Sequence, residues 1–206
     1  MADECPPLDN NPKQFSIRLS GPSAAERSEL ERFICDVYKL IYGAQIKRFK
    51  PMLVSLRDDQ GNVLAACGYR NAATGRLFLE TYLDEPVEAV LSSRCGSKVF
   101  RENIIEIGNF AAHKPGMLRQ MVEAFTPYLY ETGVQWAVFT IVPEIRNAFE
   151  RLGIRLVHIC LADRDRLDPV QQKEWGSYYD VQPQVMACNV PQSYFALKNN
   201  TGKVKV

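Results

Sequence analysis

Asn103-Ile-Ile-Glu-Ile-Gly-Asn-Phe-Ala-Ala112 is the stretch on which the fold turns. It is apolar enough for an interior strand, yet it carries Glu106 and Asn109 and has glycine at 108. A glycine inside a strand marks a bulge or the close approach of another chain segment. In a regular strand Glu106 and Asn109 point to opposite faces; a bulge at Gly108 brings both to one face. Pro115-Gly116 then opens a helix expected over 117–132, with Met117, Met121, Phe125 and Tyr128 on one side and Gly133 as its stop. Trp136–Val142 reads as a second buried strand. A short helix follows, started by Pro143 and stopped by Gly153, and Ile154–Leu161 reads as a third strand. Strand–helix–strand–helix–strand over 104–161 implies right-handed crossovers, with the first two strands parallel.

Upstream, Phe15–Leu19 alternates apolar and polar as a half-buried strand does. Leu30, Phe33, Ile34, Val37 and Ile41 fall at helical spacing, giving an amphipathic helix over 24–42 with Ser23 and Glu26 as a capping box. Met52–Leu56 and Val63–Cys67 form a hairpin around the turn residues 58–62, the second strand running on through Tyr69. Asp84 is placed to cap a short helix with Pro86 in its first turn, and Gly96 ends it. Beyond 163 only Gln184–Asn189 reads as strand. The fold class is α/β in the broad sense (α+β), a mixed sheet flanked by helices. The expected division is a flexible tail over 1–13, a single domain over 14–190 and a C-terminal tail over 191–206.

Lys and Arg number 25 against 24 Asp and Glu in 206 residues, a formal charge of +1. That balance gives no bulk footprint for nucleic acid and no obligate membrane partner. It hides a local basic run, Lys47-Arg48-Phe49-Lys50. Hydrophobic residues at 46% and charged residues at 24% are ordinary globular values and argue against disorder. No apolar stretch reaches membrane-spanning length, and residues 1–12 are polar and proline-bearing, unlike a secretory signal. The expectation is a cytoplasmic protein. Six cysteines without C-x-x-C and only two histidines give no metal-site spacing, so no metal is expected. Cys67 and Cys160, on apolar strands, read as core thiols.

Glu106 is the best candidate base, because burial favours the protonated form of a carboxyl and so strengthens it as a proton acceptor; pairing with an arginine is the plain alternative. Asn109 can orient an amine or a carbonyl but cannot act as a base. Trp175, Tyr178, Tyr179 and Asp180 cluster aromatics with a carboxylate, suited to walling an apolar pocket and binding an ammonium, or to capping the sheet. Asp163 suits acceptor binding or an ordinary turn. His113 is a substitute base.

The order of elements resembles the GNAT acyltransferase fold, and Asn147-Ala-Phe-Glu-Arg-Leu-Gly-Ile154 resembles the GNAT helix and turn beside the acyl thioester. The position where many acetyltransferases carry a tyrosine general acid is Phe149. More specifically, Glu106-Ile-Gly-Asn-Phe110, Pro115-Gly116, Trp136–Thr140, Phe149–Gly153, Leu161–Asp163 and Trp175-Gly-Ser-Tyr-Tyr-Asp180 resemble, in order, the thermostable hemolysin family. That family is similar to acyl-homoserine-lactone synthases, in which Asn109 is replaced by arginine.

The resemblance implies an N-acyltransferase that moves a fatty acyl group from a thioester to the amine of a small polar acceptor such as an amino acid derivative. Glu106 and Asn109 would be catalytic. Phe110, Ala111 and Ala112 would form the pantetheine edge, with Lys114, Gly116 and Arg119 at a phosphate and Phe149 beside the acyl group. Trp175, Tyr178, Tyr179, Asp180 and Asp163 would bind the acceptor. The co-substrate is acyl-CoA or acyl carrier protein, with no permanently bound cofactor. The single glycine of His113–Gln120 favours the carrier protein, whose docking would use Lys47, Arg48 and Lys50. A homodimer is consistent with an unpaired sheet edge. The alternatives are a direct membrane-active hemolysin and a catalytically inactive thioester-binding module.

Overall fold

An edge strand that is largely exposed and buries only its last residue, Ser20, starts a seven-stranded sheet in a computed structural model that describes residues 15–201. The expected tail over 1–13 lies outside those residues. The strands are β1 (Ser16–Ser20), β2 (Met52–Arg57), β3 (Val63–Asn71), β4 (Ile104–Ala112), β5 (Trp136–Ile141), β6 (Leu156–Leu161) and β7 (Gln184–Asn189). Their order is β1-β2-β3-β4-β5-β7-β6, antiparallel throughout except for β4 and β5, which run parallel as the strand–helix–strand pattern requires. The third strand of that pattern does not join β5. β7 inserts between β5 and β6 and buries Val185 and Ala187.

Helix α1 (Arg27–Tyr42) lies on one face of the sheet with Leu30, Ile34, Val37 and Tyr38 buried, the spacing of one helical stripe. The capping box expected at Ser23 is absent. The helix starts three residues later than the expected 24, and Glu26 instead accepts a hydrogen bond from the Ser20 hydroxyl at 3.0 Å. Ile41 is exposed, and Tyr38 one turn earlier is the last inward-facing residue of the helix. Helix α2 (Val87–Cys95) begins after Pro86, and Asp84 pairs with Arg166 at 2.6 Å rather than capping it.

The opposite face is covered by α3 (Met117–Glu131) and α4 (Pro143–Arg151), which close Met121, Phe125, Phe139, Phe149 and Ile154 into an apolar layer. After the short α5 (Pro169–Glu174), the tail expected over 191–206 is instead helix α6 (Val190–Thr201) as far as the described residues run; 202–206 lie outside them. Tyr194 stacks on Tyr130 of α3 with ring centroids 4.2 Å apart, and the Asn200 amide donates to the Leu152 carbonyl at 2.7 Å. Its polar surface residues hide this helix from a reading based on apolar periodicity. Among the described residues, no helix is long and apolar enough to cross a membrane.

Candidate active site

Glu106 sits in the middle of β4, 3% exposed, at the floor of a cavity of about 580 Å3 on the α1 face. Its Oε1 accepts from the Leu79 amide at 2.9 Å and its Oε2 from the Phe78 amide at 3.0 Å. Those amides belong to the 3-10 turn Phe78–Tyr82, whose leading N–H groups have no partner within the turn and take the carboxylate oxygens as acceptors. Oε2 also pairs with the Lys50 ammonium. Both carboxylate oxygens are therefore occupied. Burial lowers Lys50 below the ordinary lysine range; the Glu106 carboxylate opposes this, and the nearby Arg70 guanidinium adds to it.

Lys50 reaches Glu106 because two facing glycines let it lie flat on the sheet. Gly68 and Gly108 are partners across β3 and β4. A Cβ on Gly68 would stand 2.8 Å from the Lys50 Cβ, and one on Gly108 would stand 3.0 Å from its Cε. The close approach expected at Gly108 is thus the stem of a lysine. The lysine's own segment follows Gly43, which ends α1 in the left-handed region at φ 64°. Residues 42–45 are tied to 174–177 through Gln45 N–Glu174 O at 2.6 Å and Ser177 N–Tyr42 O at 2.9 Å. Gly176 has no room for a side chain there, since a Cβ would fall 2.1 Å from the Tyr42 carbonyl.

The bulge expected in β4 is present, between the pairs Gly68–Gly108 and Ala66–Ala111. Its extra residue carries Asn109 to φ 53° and reverses the alternation. Ile105, Ile107 and Phe110 face the α3 side, while Glu106 and Asn109 both line the cavity. Asn109 does not present its amide to open space. Its Oδ1 accepts from the Lys50 amide at 3.1 Å and its Nδ2 donates to the Arg48 carbonyl at 3.3 Å, so it pins the lysine segment to the sheet.

The parallel ladder of β4 and β5 covers Ile104–Ile107 against Trp136–Phe139 and stops. Beyond it β4 pairs with β3 and β5 with β7, so the two central strands part where the cavity opens. Thr140, the first β5 residue past the ladder, lines the cavity with a buried hydroxyl that has no hydrogen-bond partner among the described residues, and its carbonyl accepts from the Tyr178 hydroxyl at 3.3 Å.

Aromatic rings wall the far side. Trp175 packs 5.0 Å from Tyr178 and 5.9 Å from Phe78, centroid to centroid, and Tyr179 shares a short hydrogen bond with the Tyr82 hydroxyl. Burial raises both phenols above their ordinary range, Tyr179 to about 12, so both remain protonated at neutral pH.

The remaining residues singled out in the sequence scatter. Phe110, Ala111 and Ala112 lie on the part of β4 past the end of the β5 ladder. Lys114 and Gly116 precede α3, with Gly116 at φ 85°, and Arg119 in its first turn pairs with Glu123 at 3.2 Å. Phe149 is buried 5.0 Å from Phe139 in the apolar layer. His113 packs edge-on to Phe33 at 4.6 Å and is not in the cavity wall. Asp180 is exposed and outside the cavity, and Asp163 is an exposed turn residue accepting from the Asp165 amide at 3.0 Å; neither joins the cluster expected for the acceptor. Lys47 pairs with Glu174 at 2.9 Å and Arg48 contacts Gln171, while Lys50 turns inward. The basic run is therefore not a single surface patch. The sequence reading missed Lys50 as a site residue, the Phe78 and Leu79 amides, Tyr82 and Arg70. The paired glycines at 68 and 108 were the available signal for the lysine.

A second buried glutamate resembles the first. Glu80 accepts from the Leu77 amide at 2.7 Å, the Val87 amide at 3.1 Å and Arg101 at 2.7 Å, but it lines no part of the cavity. Burial raises its proton affinity, but the Arg101 hydrogen bonds and the two amides outweigh this and hold the carboxyl at about 2.

A mixed sheet whose parallel central strands part beside a walled cavity is the GNAT-like acyltransferase fold. The same fold is found in the AHL synthase LasI (TM-score 0.62, 11% identity, 90% of this chain on 95% of that one). It is found also in FeeM, an N-acyl amino acid synthase from uncultured soil microbes (TM-score 0.56, 16% identity, 88% on 93%). The CoA-dependent acyl-homoserine lactone synthase MesI is similar as well (TM-score 0.57, 13% identity, 91% on 95%). The sequence matches no curated protein. The family model described as thermostable hemolysin matches residues 20–194, and the chain belongs to that family.

Proposed function

We propose that the protein is an N-acyltransferase that moves a fatty acyl group from a thioester, carried by coenzyme A or acyl carrier protein, to the amine of a small polar acceptor. The observation that carries this reading is the parting of β4 from β5 beside a buried Lys50–Glu106 pair at the floor of an open cavity. Backbone groups of Phe110–Ala112 can then pair with the pantetheine arm as an added strand, with Lys114, Gly116 and Arg119 near its phosphate. Carrier-protein docking falls to Lys47 and Arg48, on the exposed side of the same segment.

The acceptor ammonium gives a proton to Lys50 in its neutral form, and Glu106 holds the resulting ammonium. The amine nitrogen attacks the thioester carbonyl, the C–N bond forms, the C–S bond breaks, the thiolate takes a proton from a nearby donor, and the second proton that the nitrogen sheds as the amide forms restores that donor. Phe149 cannot supply that proton. The Tyr82–Tyr179 pair can, because only one of the two hydroxyl hydrogens is used in their mutual bond. A fatty-acylated amine is surface-active, which would give the lysis in the family's name without direct action of the protein on bilayers.

Lipid mass spectrometry of a heterologous host expressing the chain tests this. A new acyl-amine, missing with Glu106→Ala, is the expected result; unchanged lipids with abundant folded protein would count against it.

A further inference from the structure

Five cationic side chains line the cavity against two carboxylates. Lys50 is spent on Glu106 and Lys47 on Glu174. Arg48, Arg70 and Arg76 have no carboxylate partner among the described residues, which leaves the cavity positively charged. Arg70 is the innermost of the three. It is the register partner of Glu106 across β3 and β4, so its side chain leaves the sheet beside the Lys50–Glu106 pair.

Its guanidinium is seated, not loose. Nε donates to the Thr74 hydroxyl at 3.0 Å and Nη2 to the Thr74 carbonyl at 2.8 Å. Gly75 clears space for it, because a Cβ there would stand 2.6 Å from Nη2. Nη1 makes no hydrogen bond among the described residues. A cation held by neutral groups, with an edge left over, is arranged to receive an anion.

We infer that the acceptor is an anionic amine, an amino acid with its carboxylate free, and that Arg70 takes the carboxylate while the amine faces Lys50. The inference rests on the acyl-transfer reading for its second half only. An amine without an anionic group would leave the excess charge uncompensated, and a cationic amine would add to it. A phosphate of the thioester donor carries the same chemistry. Its expected place is the start of α3, at Lys114 and Gly116, which are outside the cavity wall.

The first test needs no thioester. Trp175 lines the cavity, so its fluorescence reports occupancy by amino acids and by their carboxamides. A preference for the carboxylate of at least about tenfold is expected, falling to near unity in Arg70→Gln and partly recovered in Arg70→Lys. Equal binding of carboxamides, or no response to any amino acid, would overturn the inference.

The second test assigns the source of the anion. In acyl-transfer assays Arg70→Gln should raise the KM for the amino acid and leave that for the thioester; a raised thioester KM alone would give the arginine to the donor phosphate and overturn the acceptor assignment. Carboxylate-selective binding with no acyl product from any thioester would leave the anion site standing and remove the acyl-transfer reading instead.

Discussion

Glu80 and Glu106 are held almost alike, each buried, each accepting two backbone amides and one cation, and both meet at one 3-10 turn, Glu80 as a residue of it and Glu106 as the acceptor for its leading amides. They differ in two respects. The cation at Glu80 is Arg101, which cannot lose its proton, and the cation at Glu106 is Lys50, which can. Glu80 is enclosed by chain, whereas Glu106 meets open volume. The lesson is that a buried, well-coordinated carboxylate is by itself a staple. A titratable partner and room for a ligand are what make the same arrangement chemically usable.

The sharpest way to break the comparison is to neutralise each site. Glu106→Gln or Lys50→Met should lower acyl transfer by about 100-fold or more, as loss of general base catalysis does. Glu80→Gln should leave the turnover of the folded fraction unchanged. Equal losses in initial rate at matched folded concentrations would erase the distinction.

Stability should sort the sites in the other direction. Glu80→Gln leaves Arg101 with Glu88 alone, at 2.6 Å, and turns an amide NH2 toward one of the two backbone N–H groups that Glu80 accepts, and should cost about 3 kcal/mol in urea unfolding. Replacing both members of the other pair, Lys50→Met with Glu106→Gln, removes the two charges together and leaves only one of the Phe78 and Leu79 amides without an acceptor, and should cost about 1–2 kcal/mol. The double variant is then folded and inactive, which separates a chemical role from a structural one.

The pH dependences differ as well. The Glu80 carboxyl is depressed from 4.5 to about 2, so its contribution is complete above about pH 4.5 and is lost as pH falls through about 2. The urea midpoint should fall over that window in the wild type and be flatter in Glu80→Gln. Lys50 is lowered from 10.5, so kcat/KM should rise with pH through a value below the ordinary lysine range, and Lys50→Arg should abolish that limb.

The smallest effect is expected at the glycine pair. Gly68→Ala pushes on the Lys50 stem 2.8 Å away without removing a charge, and should lower kcat/KM by about tenfold. An unchanged rate would mean that the position of the lysine is not critical.

Much of this frame was readable from residues 103–112. The interior strand, its bulge, the shared face of Glu106 and Asn109 and the parallel partner all follow from apolar content, one glycine and element order. Apolar periodicity also placed β7 to the residue. What failed was contact information. Lys50 sits in a basic run that reads as surface, and only the fold shows that Gly68 and Gly108 clear a path for it. Asp163 and Asp180 have the chemistry for binding an ammonium but stand outside the wall. Helix α6 was missed because its packing rests on Tyr194 and Asn200 rather than on an apolar stripe.

The most direct measurement adds purified protein to an acyl thioester and a mixture of amino acids, follows N-acyl products by mass spectrometry, and runs the Lys50→Met, Glu106→Gln double variant beside it with dye-loaded liposomes as a third arm. The account expects an N-acyl amino acid from the wild type, none from the folded double variant, and no liposome leakage from protein alone. Leakage by both proteins with no acylated product from either would contradict it.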